Sequence, residues 1–272
     1  MTPALSNPLL RMHEQAGAEM IAYGDTPVVS TFGEPEAEYA AVRKACALFD
    51  LPQRGILELT GKDRLPFLNN LLTNQTWDKQ TRQGMDAGTG VYAFYLNVKG
   101  RIVTDMNVLE LGERTLLEMD GRLTETIRLG FDKFLFSEQV KINNMIGRLY
   151  QISFQGPGAV AVLNQVMDTY LAELKPLGSV TGRLLGNEAT IWRDDAAGVP
   201  GYNVILDSAI VADVWSSLLQ TFAPVPNSGK RTLRPAGWAV YNATRVEGGR
   251  PLFGIDFDET VLPAETGQLD RA

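Results

Sequence analysis

Apolar residues recur along this chain at two spacings, and the alternation between them divides it into helices and strands. Leu65, Leu68, Leu71 and Leu72 fall on one side of a helix predicted over 62–72, directly after a short β-type run, Gly55-Ile-Leu-Glu-Leu-Thr. Upstream, the same spacing predicts helices over 7–16, ended by Gly17, and over 35–49, rich in alanine and charge. Downstream come strands over 91–97 and 102–110 with Lys99-Gly100 as the hairpin signal, a strand over 115–119, a helix over 123–136 and a strand over 140–143. A second series follows: a strand into Gly156, a helix over 158–170, strands near 182–185, 190–193 and 202–206, and a helix over 210–222. Pro224-Val-Pro-Asn-Ser-Gly-Lys reads as a linker, and 233–246 as a last helix carrying Trp238 and Tyr241.

The two series share their order of elements and a local alignment. Leu59-Thr-Gly61 through Leu68-Asn69 matches Phe154-Gln-Gly156 through Leu163-Asn164 at a constant offset. This predicts an α+β fold made of two duplicated ferredoxin-like β-α-β-β-α-β units. The expected division is a first unit with N-terminal helices over 1–150, a second unit over 151–228, and a helix and tail over 229–272 that return to the body. Two units side by side leave a cleft, a usual place for a small-molecule site.

Composition narrows the chemistry. A net charge of -7 with no lysine- or arginine-rich run makes nucleic acid and anionic membrane poor partners. No apolar run approaches the length of a membrane span, and Met1-Thr-Pro-Ala-Leu-Ser-Asn-Pro has neither the basic nor the apolar region of a signal peptide, so a cytoplasmic protein is expected. Cys46, the single cysteine, excludes an intrachain disulfide and is read as a small buried residue on a helix face. His13 is the single histidine and is read as structural, so acid–base chemistry falls to carboxylates, tyrosines or lysines, and no metal site is expected.

Two places stand out for such chemistry. Arg245 and Glu247 precede Gly248-Gly249, which stops the last helix. A glutamate at a helix C-terminus opposes the macrodipole and therefore needs a specific partner. Asp105 interrupts the apolar strand Ile102–Glu110, where a buried unpaired carboxylate is expensive. Period two places it on one face with Val103 and Asn107, which is either the wet face of the strand or the wall of a site.

Three motifs taken together carry a family resemblance. They are an alanine eight residues before Phe49-Asp50, Leu96-Asn97-x-x-Gly100-x-x-x-x-Asp105, and Arg245-x-Glu247-x-Gly249-x-x-x-x-Gly254-x-Asp256. With 10–17, 55–72, 84–108 and 152–163 they resemble the glycine cleavage T-protein (GcvT) superfamily, the aminomethyltransferases and their folate-binding YgfZ-type relatives. The resemblance implies a tetrahydrofolate site between the repeated units, with Asp105 as the acid beside the reactive folate nitrogens and Tyr92 close by. It implies further that Arg245 and Glu247 line the mouth and wall; Tyr202 and Trp238 are expected as cofactor-binding aromatics, suited by their rings to stack on the flat parts of the folate. A carboxylate there suits developing positive charge and proton transfer, and an arginine fork suits the glutamate carboxylates of folate.

Departures from the family's pattern shape the expected function. Thr104 stands where T-proteins have a second acid, Gly198-Val-Pro-Gly-Tyr-Asn-Val lacks the glutamate of Gly-Tyr-Thr-Gly-Glu-Asp-Gly, and Tyr241 replaces an arginine. The Gly-Val-Pro-Gly-Tyr form and Leu262-Pro-Ala-Glu are more similar to the YgfZ branch. That branch's Lys-Gly-Cys-x-x-Gly-Gln-Glu motif and the family's C-terminal barrel are missing up to Ala272, which reads as a truncated or cleaved form or a naturally short paralogue. The leading expectation is a tetrahydrofolate-binding, YgfZ-type accessory factor in iron–sulfur cluster assembly or repair. The alternatives are an aminomethyltransferase or related one-carbon transferase, with a lipoyl carrier as partner in place of an iron–sulfur client, and a catalytically inactive interaction scaffold.

Overall fold

The computed structural model describes residue 5 and residues 7–224 and 232–272; the expected linker lies, after Pro224, outside the described residues. The chain opens with α1 (Leu10–Gln15), a hairpin of β1 (Glu19–Tyr23) and β2 (Thr26–Thr31), α2 (Pro35–Lys44) and β3 (Ala47–Asp50). The first unit follows: β4 (Arg54–Thr60), α3 (Arg64–Asn69), a small ladder of β5 (Trp77–Asp78) and β6 (Gln83–Gly84), β7 (Gly90–Leu96), β8 (Ile102–Glu110), β9 (Arg114–Asp120), α4 (Thr124–Asp132) and β10 (Lys141–Asn144). The second has β11 (Leu149–Gln155), α5 (Ala159–Val166), β12 (Ser179–Leu184), β13 (Asn187–Arg193), β14 (Gly201–Asp207) and α6 (Val211–Thr221), and β15 (Arg234–Ala236) and α7 (Trp238–Glu247) complete the set.

The duplication is visible in strand order. One sheet runs β10-β4-β9-β8-β7 and the other β12-β13-β14-β11-β3-β15. Reversing the second places β3, β11, β14, β13 and β12 opposite β10, β4, β9, β8 and β7, the ferredoxin-like order with one added edge strand. The aligned residues do equivalent work. The Asn69 Oδ1 accepts from the backbone N–H of Thr76, seven residues on, and the Asn164 Oδ1 accepts from that of Leu171, also seven on. Gly61 and Gly156 both turn from strand to helix at positive φ, 104° and 133°, pressed against a backbone carbonyl of the segment beside them.

Each of the seven expected helices is shorter than expected, and two of them give way to a strand. The helix expected over 35–49 stops at Lys44, and Ala47–Asp50 pairs with β11 on one side and β15 on the other. The alternation explains this: Leu48 packs into one apolar cluster while Ala47 and Phe49 pack into another, which a strand can do and a one-faced helix cannot. Cys46 is buried at this junction rather than on a helix face, and burial pushes its thiol well up. Likewise Arg234–Ala236 runs parallel to β3 before α7 begins, with Pro235 on the sheet edge, where its missing N–H does least harm.

Helices cover the outer face of each sheet, and the inner faces meet. Leu57, Leu59, Met106, Val108, Leu117 and Met119 point outward to α3 and α4, and Ile152, Phe154, Tyr202, Val204 and Leu206 point to α5 and α6. Their strand neighbours point inward, where Ile56, Leu109, Leu116, Trp192 and Ile205 form an apolar seam between the sheets. Beside that seam the inward positions turn polar.

Candidate functional site

Period two delivers Asp105 and Asn107 from β8, Glu118 from β9 and Arg54 from β4 to the inner face of the first sheet. Gln151 of β11 and Asn203 of β14 face them from the second sheet. Asp194, just after β13, Tyr241 and Arg245 of α7, and Arg250 to Leu252 of the tail complete the walls. Space for the centres of water-sized molecules in this cavity amounts to about 50 Å³, within about 500 Å³ of free space that includes solvent at its mouth.

The floor is a network joining both units. Arg54 grips Glu118 with two bonds, Nε to Oε1 at 2.5 Å and Nη2 to Oε2 at 2.7 Å. Asn107 and Gln151 donate to the two oxygens of the same carboxylate at 2.9 and 3.1 Å. Asp105, 6% exposed, accepts from the Tyr92 hydroxyl at 2.9 Å. Burial pushes its carboxyl up to about 6, against the pull of Arg54 and the Tyr92 hydrogen bond toward the charged form. The Tyr92 phenol is itself raised, by burial first and then by the neighbouring Asp105 charge. A carboxyl poised near 6, oriented by a neutral phenol and screened from bulk water, can take up or release a proton at neutral pH.

The sequence-derived residues separate into two groups. Tyr92, Asp105 and Arg245 line the same cavity; Tyr202, Trp238 and Glu247 do not. Tyr202 sits one position off the inner register of β14, so it points into the apolar cluster under α5 and α6, and Asn203 faces the cavity instead. Trp238 stacks on Tyr241 with ring centroids 5.6 Å apart and meets Tyr23 edge-on, which makes it a support for the lining tyrosine. Glu247 is half-exposed and accepts from Tyr39 and Arg43, the specific partners its place at a helix C-terminus requires. Arg245 is nearly fully buried and already committed to Asp256, to Asn242 Oδ1 and to the Arg250 carbonyl, so its fork is closed to a ligand carboxylate in this conformation.

Arg54, Glu118, Gln151, Asp194, Asn203, Arg250 and Arg271 also line the site, although their sequence context did not mark them. The available signal was the one that exposed Asp105: a polar residue inside an apolar strand run, as Glu118 is in Leu116-Leu117-Glu118-Met119. Over the mouth, the Arg271 guanidinium lies 4.4 Å from the centroid of the Tyr92 ring, and Asn74 holds the Arg271 carbonyl. Two buried lining atoms, Gln151 Oε1 and Arg250 Nη1, have no hydrogen-bond partner among the described residues. An orphaned acceptor and an orphaned donor beside the Tyr92 and Tyr241 rings suit a flat, polar-edged heterocycle of the pterin type.

Among the described residues no helix is long and apolar enough to cross a membrane, and no group of three or more His, Cys, Asp or Glu is placed to hold a metal ion. Comparison with known proteins points one way. The chain is 28% identical over 262 residues to an aminomethyltransferase of Bacillus licheniformis, covering 96% of this chain and 68% of the relative. It is 26% identical to the Bacillus subtilis aminomethyltransferase over 96% of its length and 69% of that protein. It thus spans about two-thirds of the length of these relatives. The glycine cleavage system aminomethyltransferase T of Bartonella henselae shares the fold, with a TM-score of 0.81 at 22% identity over 96% of this chain and 67% of that one. The family model described as the GCVT N-terminal domain matches residues 9–271, and the chain therefore belongs to the GCVT family.

Proposed function

We propose that the cavity between the two units binds a reduced folate and that Asp105 serves there in one-carbon transfer of the aminomethyl type. The carrying observation is the buried Asp105 carboxyl, held by Tyr92 and facing a recess built from both units. Tetrahydrofolate, when bound, supplies the nucleophilic nitrogens that accept the one-carbon group. Asp105 stabilises positive charge developing beside it and holds or returns the proton. Tyr92 keeps that carboxylate oriented, and the Arg54–Glu118 pair fixes the wall behind it. The orphaned Gln151 and Arg250 atoms favour a ligand with both donors and acceptors on its edge. Stacking on the open face of Tyr92 requires Arg271 to swing aside.

Similarity to proteins named aminomethyltransferase favours transfer chemistry, with a lipoyl carrier as partner, over the YgfZ-type accessory role. One feature favours binding without transfer: Thr104, buried and bonded to the backbone carbonyl of Asp105, leaves Asp105 without the neighbouring acid of the family's pattern. Calorimetric titration with tetrahydrofolate tests the common part of both readings, and absence of heat at high micromolar ligand removes both. Folate-dependent release of ammonia from an aminomethylated carrier, lost in Asp105→Asn, supports transfer. Tight binding without turnover selects the accessory role.

A further inference from the structure

One pair of charged groups around the cavity is uncommitted. Arg54 is taken by Glu118, Arg245 by Asp256 and Asn242, Arg271 by Gln268 and the face of Tyr92, and Asp105 by the Tyr92 hydroxyl. Asp194 and Arg250 remain. Their closest approach is 3.8 Å, too long for a hydrogen bond, and among the described residues no side-chain donor hydrogen-bonds to the Asp194 carboxylate. Arg250 Nη1 is buried without an acceptor. Both backbones are nonetheless fixed. The Asp194 N–H donates to the Gly201 carbonyl, its carbonyl accepts from Gln155, and the Arg250 N–H donates to the Arg245 carbonyl. Burial, the largest cause, pushes the Asp194 carboxyl up to about 6, as expected of a carboxylate that the protein leaves poorly satisfied.

We propose that Asp194 and Arg250 together read the edge of the bound ligand and that they recognise a neutral 2-amino-4-oxo heterocycle, the carboxylate taking its two adjacent N–H donors and the guanidinium its carbonyl oxygen. The inference rests on the folate reading and names the residues that would set its specificity. The uncommitted pair sums to no net charge, and the other lining arginines are already held, Arg54 by Glu118, Arg245 by Asp256 and Arg271 by Gln268, so a ligand carboxylate would gain Arg250 but meet Asp194. An acylguanidine edge offers donors to the one and an acceptor to the other, and so satisfies both at once. The pair stands on the second unit and the tail, apart from Asp105 on the first unit, so edge recognition and proton handling fall to separate walls.

The test uses two probes without a glutamate tail, 6-methyltetrahydropterin and its 2,4-dioxo counterpart, titrated anaerobically into the full chain alongside tetrahydrofolate. Wild type is expected to prefer the 2-amino probe by about tenfold or more, because the dioxo edge faces Asp194 with an oxygen. In Asp194→Asn the amide can donate to that oxygen, and the preference collapses toward unity. Arg250→Met weakens both probes about tenfold and keeps their ratio, since both carry the 4-oxo group. A preference unchanged in Asp194→Asn, or wild-type affinity in Arg250→Met, overturns the assignment while tetrahydrofolate binding stands. Failure of wild type to bind either tetrahydrofolate or the pterin overturns the folate reading and this proposal with it. The preference is a ratio within each variant, so partial loss of folded protein does not imitate the result.

Discussion

Asp105 is a carboxyl whose proton is harder to remove in the folded protein than in the unfolded chain, about 6 against 3.8. A raised acid of this kind contributes its full stability below the unfolded value and loses it as pH rises through the folded one. The shift corresponds to up to about 3 kcal/mol. Asp105→Asn, which keeps the acceptor for Tyr92, is therefore expected to match wild type near pH 4 and exceed it at pH 7.5 in urea melts. Equal stability at both pH values would refute the shift. Tyr92→Phe removes a hydrogen bond that favours the charged form, so the pKa governing Asp105 in a pH–rate profile moves further above 6. That residue was legible in the sequence because a charge in an apolar strand run is conspicuous. Whether its face was wet or enclosed depended on the second sheet lying against it, which no feature of the strand itself encodes.

At the scale of elements, close contacts decide which substitutions the fold can absorb. A Cβ on Gly61 would lie 2.0 Å from the Gln139 carbonyl oxygen, and one on Gly156 would lie 2.4 Å from that of Ala45, both at positive φ. Gly61→Ala and Gly156→Ala are each expected to destabilise by about 3 kcal/mol or more, combining overpacking with backbone strain. Gly17, also at positive φ but facing open space, should lose only about 1–2 kcal/mol on the same change. Chemical denaturation of the three variants checks the order, and a Gly17 change as costly as the others would contradict it. Glu38 ties three elements: its carboxylate accepts from the Thr31 hydroxyl and the N–H groups of Phe32 and Gly237, all within 2.9 Å. Glu38→Ala leaves three donors without their partner and is expected to cost about 2–4 kcal/mol in the same measurement. The period-two and helical signals mark most elements, but the β1–β2 hairpin carries no clear signal, since Thr26-Pro-Val-Val-Ser-Thr alternates too briefly.

The whole molecule is held together by exchanges between its parts. β3, from the front of the chain, occupies in the second sheet the place that β10 holds in the first. Asp50 at its end accepts from Asn7 and Tyr150 and contacts His13 at 2.9 Å, joining α1, β3 and β11. His13 itself is wedged edge-on between Phe32 and Trp215, which accounts for it as a structural residue. A fragment of residues 151–272 lacks β3, so it is expected to show no cooperative thermal transition by circular dichroism unless residues 35–50 are supplied. A cooperative melt of that fragment alone would show that β15 can take the vacated place. Across the centre, Glu118 binds partners on β4, β8 and β11, so the floor of the candidate site is also the polar join between the units.

By itself the sequence determined the alternation of helix and strand, the duplication and the family, and it marked Asp105, Tyr92 and Arg245, which the structure brings to one cavity. These are local or repeating signals, written in periods of two and 3.6 residues, in glycines with a required turn, and in a carboxylate misplaced for its surroundings. The tertiary structure alone decided that Asn203 rather than Tyr202 faces the cavity, that Arg245 is consumed by Asp256, and that Asp194 and Arg250 meet there. The physical reason is the same in each case. Burial, pairing and proton affinity depend on what lies across a gap between two sheets, and those neighbours are brought together by packing from positions far apart in the chain.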